Sequence, residues 1–245
     1  MNLAYSTNAY LRFSLEEALA RAARLGYEAV ELMADTPHAW PEDTGPERVD
    51  EIRCLLDHYG LSVSNMNAFM MNRIGDPRQP YWHPSWIEPD PAYRQIRIDH
   101  TRRALSLARA LGIPHVSTEP GGPIAGESER EAAMSLFVEM LTPVLEHAER
   151  ERVVLLIEPE PGLLIENASQ FLDLRSRTGS PWLGLNYDVG HFYCVSEALG
   201  ESIRRLAPHI QHVHVEDIAA DRKHHHLVPG DGAIDFDEVF SALRA

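Results

Sequence analysis

The chain has 245 residues, 44% of them hydrophobic, and a formal charge of −15, which fits one globular core rather than a disordered chain. Such acidity repels phosphodiester backbones and no basic patch offsets it, so nucleic acid is not an expected partner. The opening MNLAYS carries no basic and apolar leader and no apolar run nears about twenty residues, so no membrane span and a cytoplasmic location are expected.

Strand-like apolar runs alternate with helix-period segments along the chain. NLAYS leads into SLEEALARAARLG, where Ser14 is placed to cap a helix with Glu17 three residues on. Leu15, Ala18, Leu19, Ala22 and Leu25 share one face of that helix, and Gly26 stops it. AVELM precedes a helix around residues 49–59, and LSVSNMN precedes another from about 93 to 111. The intervening segment, roughly 68–91, is too long for a plain connection. It is expected to be a lid with Trp82 or Trp86 turned toward the pocket.

PHVSTEP, RVVLLIEPEP, WLGLNYD and HIQHVHVED complete the strands, with helices expected near 129–150, 169–177 and 196–206 and a last one in FDEVFSALRA. Alternation of this kind implies a parallel sheet covered by helices. A doubly wound sheet would carry a glycine-rich phosphate turn after its first strand, but TNAYLRFS stands there, which favours a (β/α)8 TIM barrel. One domain over residues 1–245 is expected, with the eighth strand missing from the chain. Cys54 and Cys194 form no C-x-x-C pair; Cys54 is expected to pack within its helix and Cys194 to be a small buried thiol.

Three apolar strands run out at metal-binding side chains. Glu158 ends VVLLI before Pro159, Asp188 and His191 lie in Y-D-V-G-H, and His212 and His214 alternate with valines in HVHVED. Period two puts His212, His214 and Glu216 on one face and the valines under the helices. Asp188 alone reads equally well as a helix cap, and Glu160 leaves the choice of carboxylate after the fifth strand open. Together the three segments predict a site for one divalent ion, manganese, cobalt, magnesium or zinc, at the C-terminal rim of a barrel. Asn67 and Glu119, at the exits of the third and fourth strands, occupy rim positions suited to substrate contacts. His226, within the run His224-His225-His226, is either solvated loop or part of the site mouth.

The order I-E-P, N-Y-D-V-G-H, H-V-H-V-E-D and H-H-L-V-P-G-D-G-A-I-D-F resembles the xylose isomerase-like TIM-barrel superfamily, in particular its sugar phosphate isomerase/epimerase group. The resemblance runs over nearly the whole chain, and D-x-x-H and H-x-H are its most specific parts. It implies Glu158, Asp188 and His214 as metal ligands and His191 as a contact to substrate hydroxyls. It also implies a sugar, polyol or related hydroxy-carbonyl substrate, rearranged through an enediolate with Glu158, or a glutamate of an eighth strand, moving the proton. That glutamate is the family's fourth ligand; since the sequence stops at Ala245 without a strand eight, a longer natural chain is expected. A dehydratase shares every step up to the enolate. A metal phosphodiesterase resembling type IV AP endonucleases would need histidines where Asn67 and Glu119 stand. A non-catalytic ligand-binding barrel and a homo-oligomer are also compatible.

Overall fold

Helices and short strands alternate along the chain, with two helices between the last two strands, and the computed structural model describes residues 2–78 and 82–245. The seven strands are β1 (Ala4–Ser6), β2 (Ala29–Met33), β3 (Ser62–Asn67), β4 (His115–Thr118), β5 (Val154–Ile157), β6 (Leu183–Asp188) and β7 (Ile210–His214). Each pairs in parallel with the next in chain order, so the sheet curls into a TIM-barrel fold with β1 and β7 outermost and no eighth strand seen among the described residues. The principal helices are α1 (Leu15–Arg24), α2 (Pro46–Tyr59), α3 (Pro91–Leu111), α4 (Arg130–Glu151), α5 (Ala168–Thr178), α6 (Val189–Cys194), α7 (Leu199–Leu206) and α8 (Phe236–Arg244).

Local chemistry explains the helix ends. Ser14 and Glu17 form the expected capping box of α1. Asp90 caps α3 ahead of Pro91, and Asn167 caps α5. Helix α6, which the pattern of apolar residues did not announce, begins directly after β6, so the helix expected from residue 196 starts only at Leu199. Cys54 is exposed on α2 rather than packed, because it falls off the buried face formed by Val49, Ile52 and Leu56.

The sheet has two chemically distinct faces. Val30 and Leu32 join Leu15, Leu19 and Ile52 in the apolar core between sheet and helices. Glu31, between them, points to the interior of the curl and meets Ser6, Asn65 and His214. Two register irregularities shape this interior. Val30 pairs with Val63 but Glu31 with Asn65, which leaves Ser64 as an extra residue. Leu185 pairs with Ile210 but Asn186 with His212, which leaves Gln211 extra. A shift of one residue exchanges the faces of a strand, so the bulge at Gln211 is what sets His212 opposite Asn186 and His214 opposite Asp188. Val215, expected under the helices, lies beyond the end of β7 and is exposed.

The segment after β3 is pinned rather than loose. Arg97, fully buried on α3, donates to the carbonyls of Ala68 (2.9 Å), Phe69 (3.0 Å), Trp82 (2.9 Å) and Pro84 (2.9 Å). Asp35, just past β2, accepts from the amides of Asn72 and Arg73. Trp86 does not face a pocket as a lid residue would. Its ring is fully buried 5.9 Å from Phe137 of α4 and its indole donates to Thr118 at 3.3 Å, so it belongs to the core. Residues 79–81 of the expected lid lie outside the described residues.

Arg97→Met should therefore cost about 3 to 5 kcal/mol, because it leaves buried carbonyls without donors. Urea denaturation checks this, and a loss below about 1 kcal/mol would show that the carbonyls find other partners.

Candidate metal centre

Glu158, Asp188 and His214 leave the ends of β5, β6 and β7 and converge: one ligand-type atom from each lies within 4.8 Å of the other two. Glu158 Oε1 lies 2.8 Å from His214 Nδ1, and Asp188 Oδ2 lies 3.7 Å from the same nitrogen. All three are largely removed from solvent. Asp188 serves both purposes that its position suggested. Its Oδ1 accepts from the His191 amide at 2.9 Å and caps α6, while Oδ2 stays directed toward His214.

The other imidazole nitrogen of His214 identifies a residue absent from the expected site. Glu31 Oε2 lies 2.8 Å from His214 Nε2, and Glu31 is held there by Ser6 at 2.8 Å and Asn65 at 2.8 Å. A carboxylate that fixes one imidazole nitrogen leaves the other as the ligand atom, the usual outer-sphere support of a metal-bound histidine. The signal in the sequence was a lone Glu within AVELM, every residue of which is buried. His212 sits one layer deeper, between Asn186 Oδ1 (3.0 Å) and Ser64 Oγ (3.1 Å). Asn186 Nδ2 donates to Glu158 Oε2 at 2.9 Å.

These contacts set the charge of the site. Burial would lower the affinity of His214 for a proton, but Glu158 and Glu31 outweigh it and hold the imidazole protonated well above the ordinary range. Burial acts to raise Glu31 and Asp188, yet the adjacent histidines hold both well below the usual carboxylate range. Glu160 behaves differently: burial pushes it up to about 7, with His191 opposing and Glu158 and Asp188 adding to the rise. The cluster thus gathers carboxylates around a single imidazolium, the environment that a divalent cation would neutralise.

The remaining expected contacts divide. His191 stands at the mouth, its Nδ1 2.8 Å from the Pro159 carbonyl and its Nε2 3.9 Å from Asp188 Oδ2. His226 is exposed beside it, with Nδ1 2.7 Å from Glu216 Oε2. Asn67 and Glu119 have main-chain partners instead. Asn67 Oδ1 accepts from Phe69 N at 3.0 Å, and fully buried Glu119 accepts from the amides of Trp86 (2.9 Å) and Gly121 (2.7 Å). A groove of about 680 Å³ on the outer surface, bordered by Arg53, Arg102 and His147, touches none of the cluster.

The chain belongs to the xylose isomerase-like TIM-barrel family, whose model matches residues 19–245. It is 23% identical over 241 residues to fructoselysine 3-epimerase of Escherichia coli O157:H7, covering 95% of this chain and 82% of that protein. It is 27% identical over 250 residues to hydroxypyruvate isomerase of Escherichia coli K12, covering 99% and 88%. The crystal structure of IOLI protein with a binding zinc atom superposes with a TM-score of 0.79 at 19% identity, covering all of this chain and 84% of that one. Among the described residues no helix is long and apolar enough to cross a membrane.

Two outcomes follow. Glu31→Gln should weaken manganese binding by about 10- to 100-fold while leaving the fold intact, measured by titration calorimetry; an unchanged affinity would remove Glu31 from the support of His214. Glu119 governs a pH effect. Burial pushes it up to about 7 from an ordinary 4.5, against the pull of Arg97 and the two amides. Unfolding then releases its proton between those values, so its contribution is complete below pH 4.5 and lost as pH rises to 7. The loss is on the order of 3 kcal/mol at most. Stability curves of wild type and Glu119→Gln should converge in slope above pH 7 and diverge between pH 5 and 7.

Proposed function

We propose that the protein is a divalent-metal-dependent isomerase or epimerase of a sugar, polyol or related hydroxy-carbonyl compound. The observation that carries this proposal is the convergence of Glu158, Asp188 and His214 from three adjacent strand ends, with carboxylate oxygens and an imidazole nitrogen within 4.8 Å. Family membership and the epimerase and isomerase relatives support it from a different side.

The donor set suits the ion. Two carboxylates and one imidazole match manganese, cobalt or magnesium, with zinc also accommodated. Bound there, a divalent ion supplies Lewis acidity, polarising a carbonyl and stabilising negative charge on neighbouring oxygens. The protein's own groups supply the rest. His214 must give up its proton to serve as a ligand, and Glu31 then receives the hydrogen bond from Nε2. Glu158 is the carboxylate placed to take a proton from the substrate carbon. Glu160, which burial pushes up to about 7 with Glu158 adding to the rise, is the group that would return a proton. The His191 Nε2, with Nδ1 fixed on Pro159, is directed to bind a substrate hydroxyl.

Asn67 and Glu119 weigh against a phosphodiesterase. Extra metal ions would need donors at the exits of β3 and β4, where both side chains are engaged by main-chain amides.

The test is solvent proton exchange. Incubated with manganese and a panel of ketoses and inososes in deuterated water, the enzyme should exchange the hydrogen on the carbon beside the carbonyl of one substrate, followed by NMR. Glu158→Gln should slow exchange by at least about 100-fold. Exchange accompanied by loss of water would assign the dehydratase reaction instead. No exchange on any substrate with the metal bound would contradict the proposal.

A further inference from the structure

Strand β7 carries two histidines. His214 meets the acids of the metal centre, whereas the role of His212, one layer deeper, follows from its partners. Asn186 of β6 stands between His212 and Glu158. Its Nδ2 is 2.9 Å from Glu158 Oε2, and because a carboxylate only accepts, the amino end of the amide must face Glu158. Its Oδ1 therefore faces His212 Nδ1, 3.0 Å away. An amide oxygen also only accepts, so Nδ1 carries the hydrogen. The other ring nitrogen, Nε2, then holds the lone pair and takes the Ser64 hydroxyl at 3.1 Å. Each donor direction fixes the next, from the depth of the curl to the carboxylate at its rim.

Both sheet irregularities serve this chain of donors. Ser64 is the extra residue of β3 opposite β2, and Gln211, directly before His212, is the extra residue of β7. Without either bulge, one partner would turn to the opposite face of the sheet. The His212 ring is also kept from serving as a ligand. It offers an atom within 4.8 Å of atoms from Glu31 and His214, but its Nδ1 is 3.9 Å from Glu31 Oε2 and both its nitrogens are already committed to Asn186 and Ser64. The ring stands edge-on to that of His214, with centroids 5.3 Å apart and planes at 88°.

We propose that His212 is a positioning residue: through Asn186 it holds the Glu158 carboxylate with Oε2 tied to the amide and Oε1 turned to the metal centre. Without a hydrogen on Nδ1, the Asn186 amide is free to turn over and present its oxygen to Glu158, which sets two acceptors against each other. The carboxylate then loses the fixed orientation that a ligand and base requires. The inference rests on the reading of Glu158 as ligand and base, but the first of its tests needs neither metal nor substrate.

That test is nitrogen-15 NMR of the full chain labelled at histidine. Of the 13 histidines, the signal absent from His212→Asn is that of His212, and in wild type it should show the hydrogen on Nδ1 and a bare Nε2. An Nε2–H form or an imidazolium would overturn the proposal. The second test compares two amides. Asn places its nitrogen where Nδ1 stands and Gln where Nε2 stands, so His212→Asn keeps a donor toward Asn186 and His212→Gln does not. Manganese affinity, read by titration calorimetry, should fall by about 10-fold or more in His212→Gln and by less than about threefold in His212→Asn, and the rate of solvent exchange should divide the same way. In an Asn186→Ala background, His212→Gln should cost no more than about twofold further. Equal losses in the two single variants, or losses that multiply in the double variant, would reduce His212 to a packing residue. Should no substrate exchange its hydrogen, the reading of the reaction fails, while the NMR and affinity results still decide the role of His212.

Discussion

An imidazole clasped between two buried carboxylates organises the interior of this barrel. His214 reaches from β7 to Glu31 of β2 on one side and Glu158, just past β5, on the other, 2.8 Å from each. Buried carboxylates are costly without a positive partner, and here one partner serves acids from opposite parts of the sheet. Asn65 and Asn186 extend the arrangement by donating to Glu31 and Glu158. The network thus fixes side chains from β2, β3, β5, β6 and β7 relative to one another, and a metal at Nδ1 would inherit that preorganised geometry.

The polar interior is possible because the apolar residues of the same strands are committed elsewhere. Val30, Leu32, Leu155, Ile157 and Leu185 lie in the core beneath the helices, leaving the alternate positions free for chemistry. The bulge at Gln211 then decides which residues of β7 reach the inside. Around the rim, Arg97, Asp35 and Asp217 each tie loop backbone to the body of the fold. The mouth is consequently built from anchored segments, with the histidine-rich loop as its most solvent-exposed wall.

Much of this was legible in the sequence because it rests on short-range periodicity. Alternation of strands and helices gave the barrel, and ligand-type side chains at strand ends pointed to Glu158, Asp188 and His214, which the fold brings together. Glu31 was not singled out, since AVELM reads as an ordinary buried strand and its partner His214 lies far along the chain. Glu119 and Asn67 stood at rim positions, but whether such a residue faces a ligand or caps its own turn depends on neighbouring backbone, here the amides of Trp86, Gly121 and Phe69. The burial of Trp86 was hidden for a similar reason. Its pocket is made by Thr118 and by Phe137 on α4, and local pattern carries no record of such a contact.

The position of the metal tests the account most directly. Diffraction from crystals grown with manganese, recorded near the manganese absorption edge, should show an anomalous peak within about 2.0 to 2.3 Å of Glu158, Asp188 and His214 Nδ1, with Glu31 still bonded to Nε2. Density at that point without anomalous signal, or a peak bound elsewhere while His214 stays clasped between Glu31 and Glu158, would contradict it.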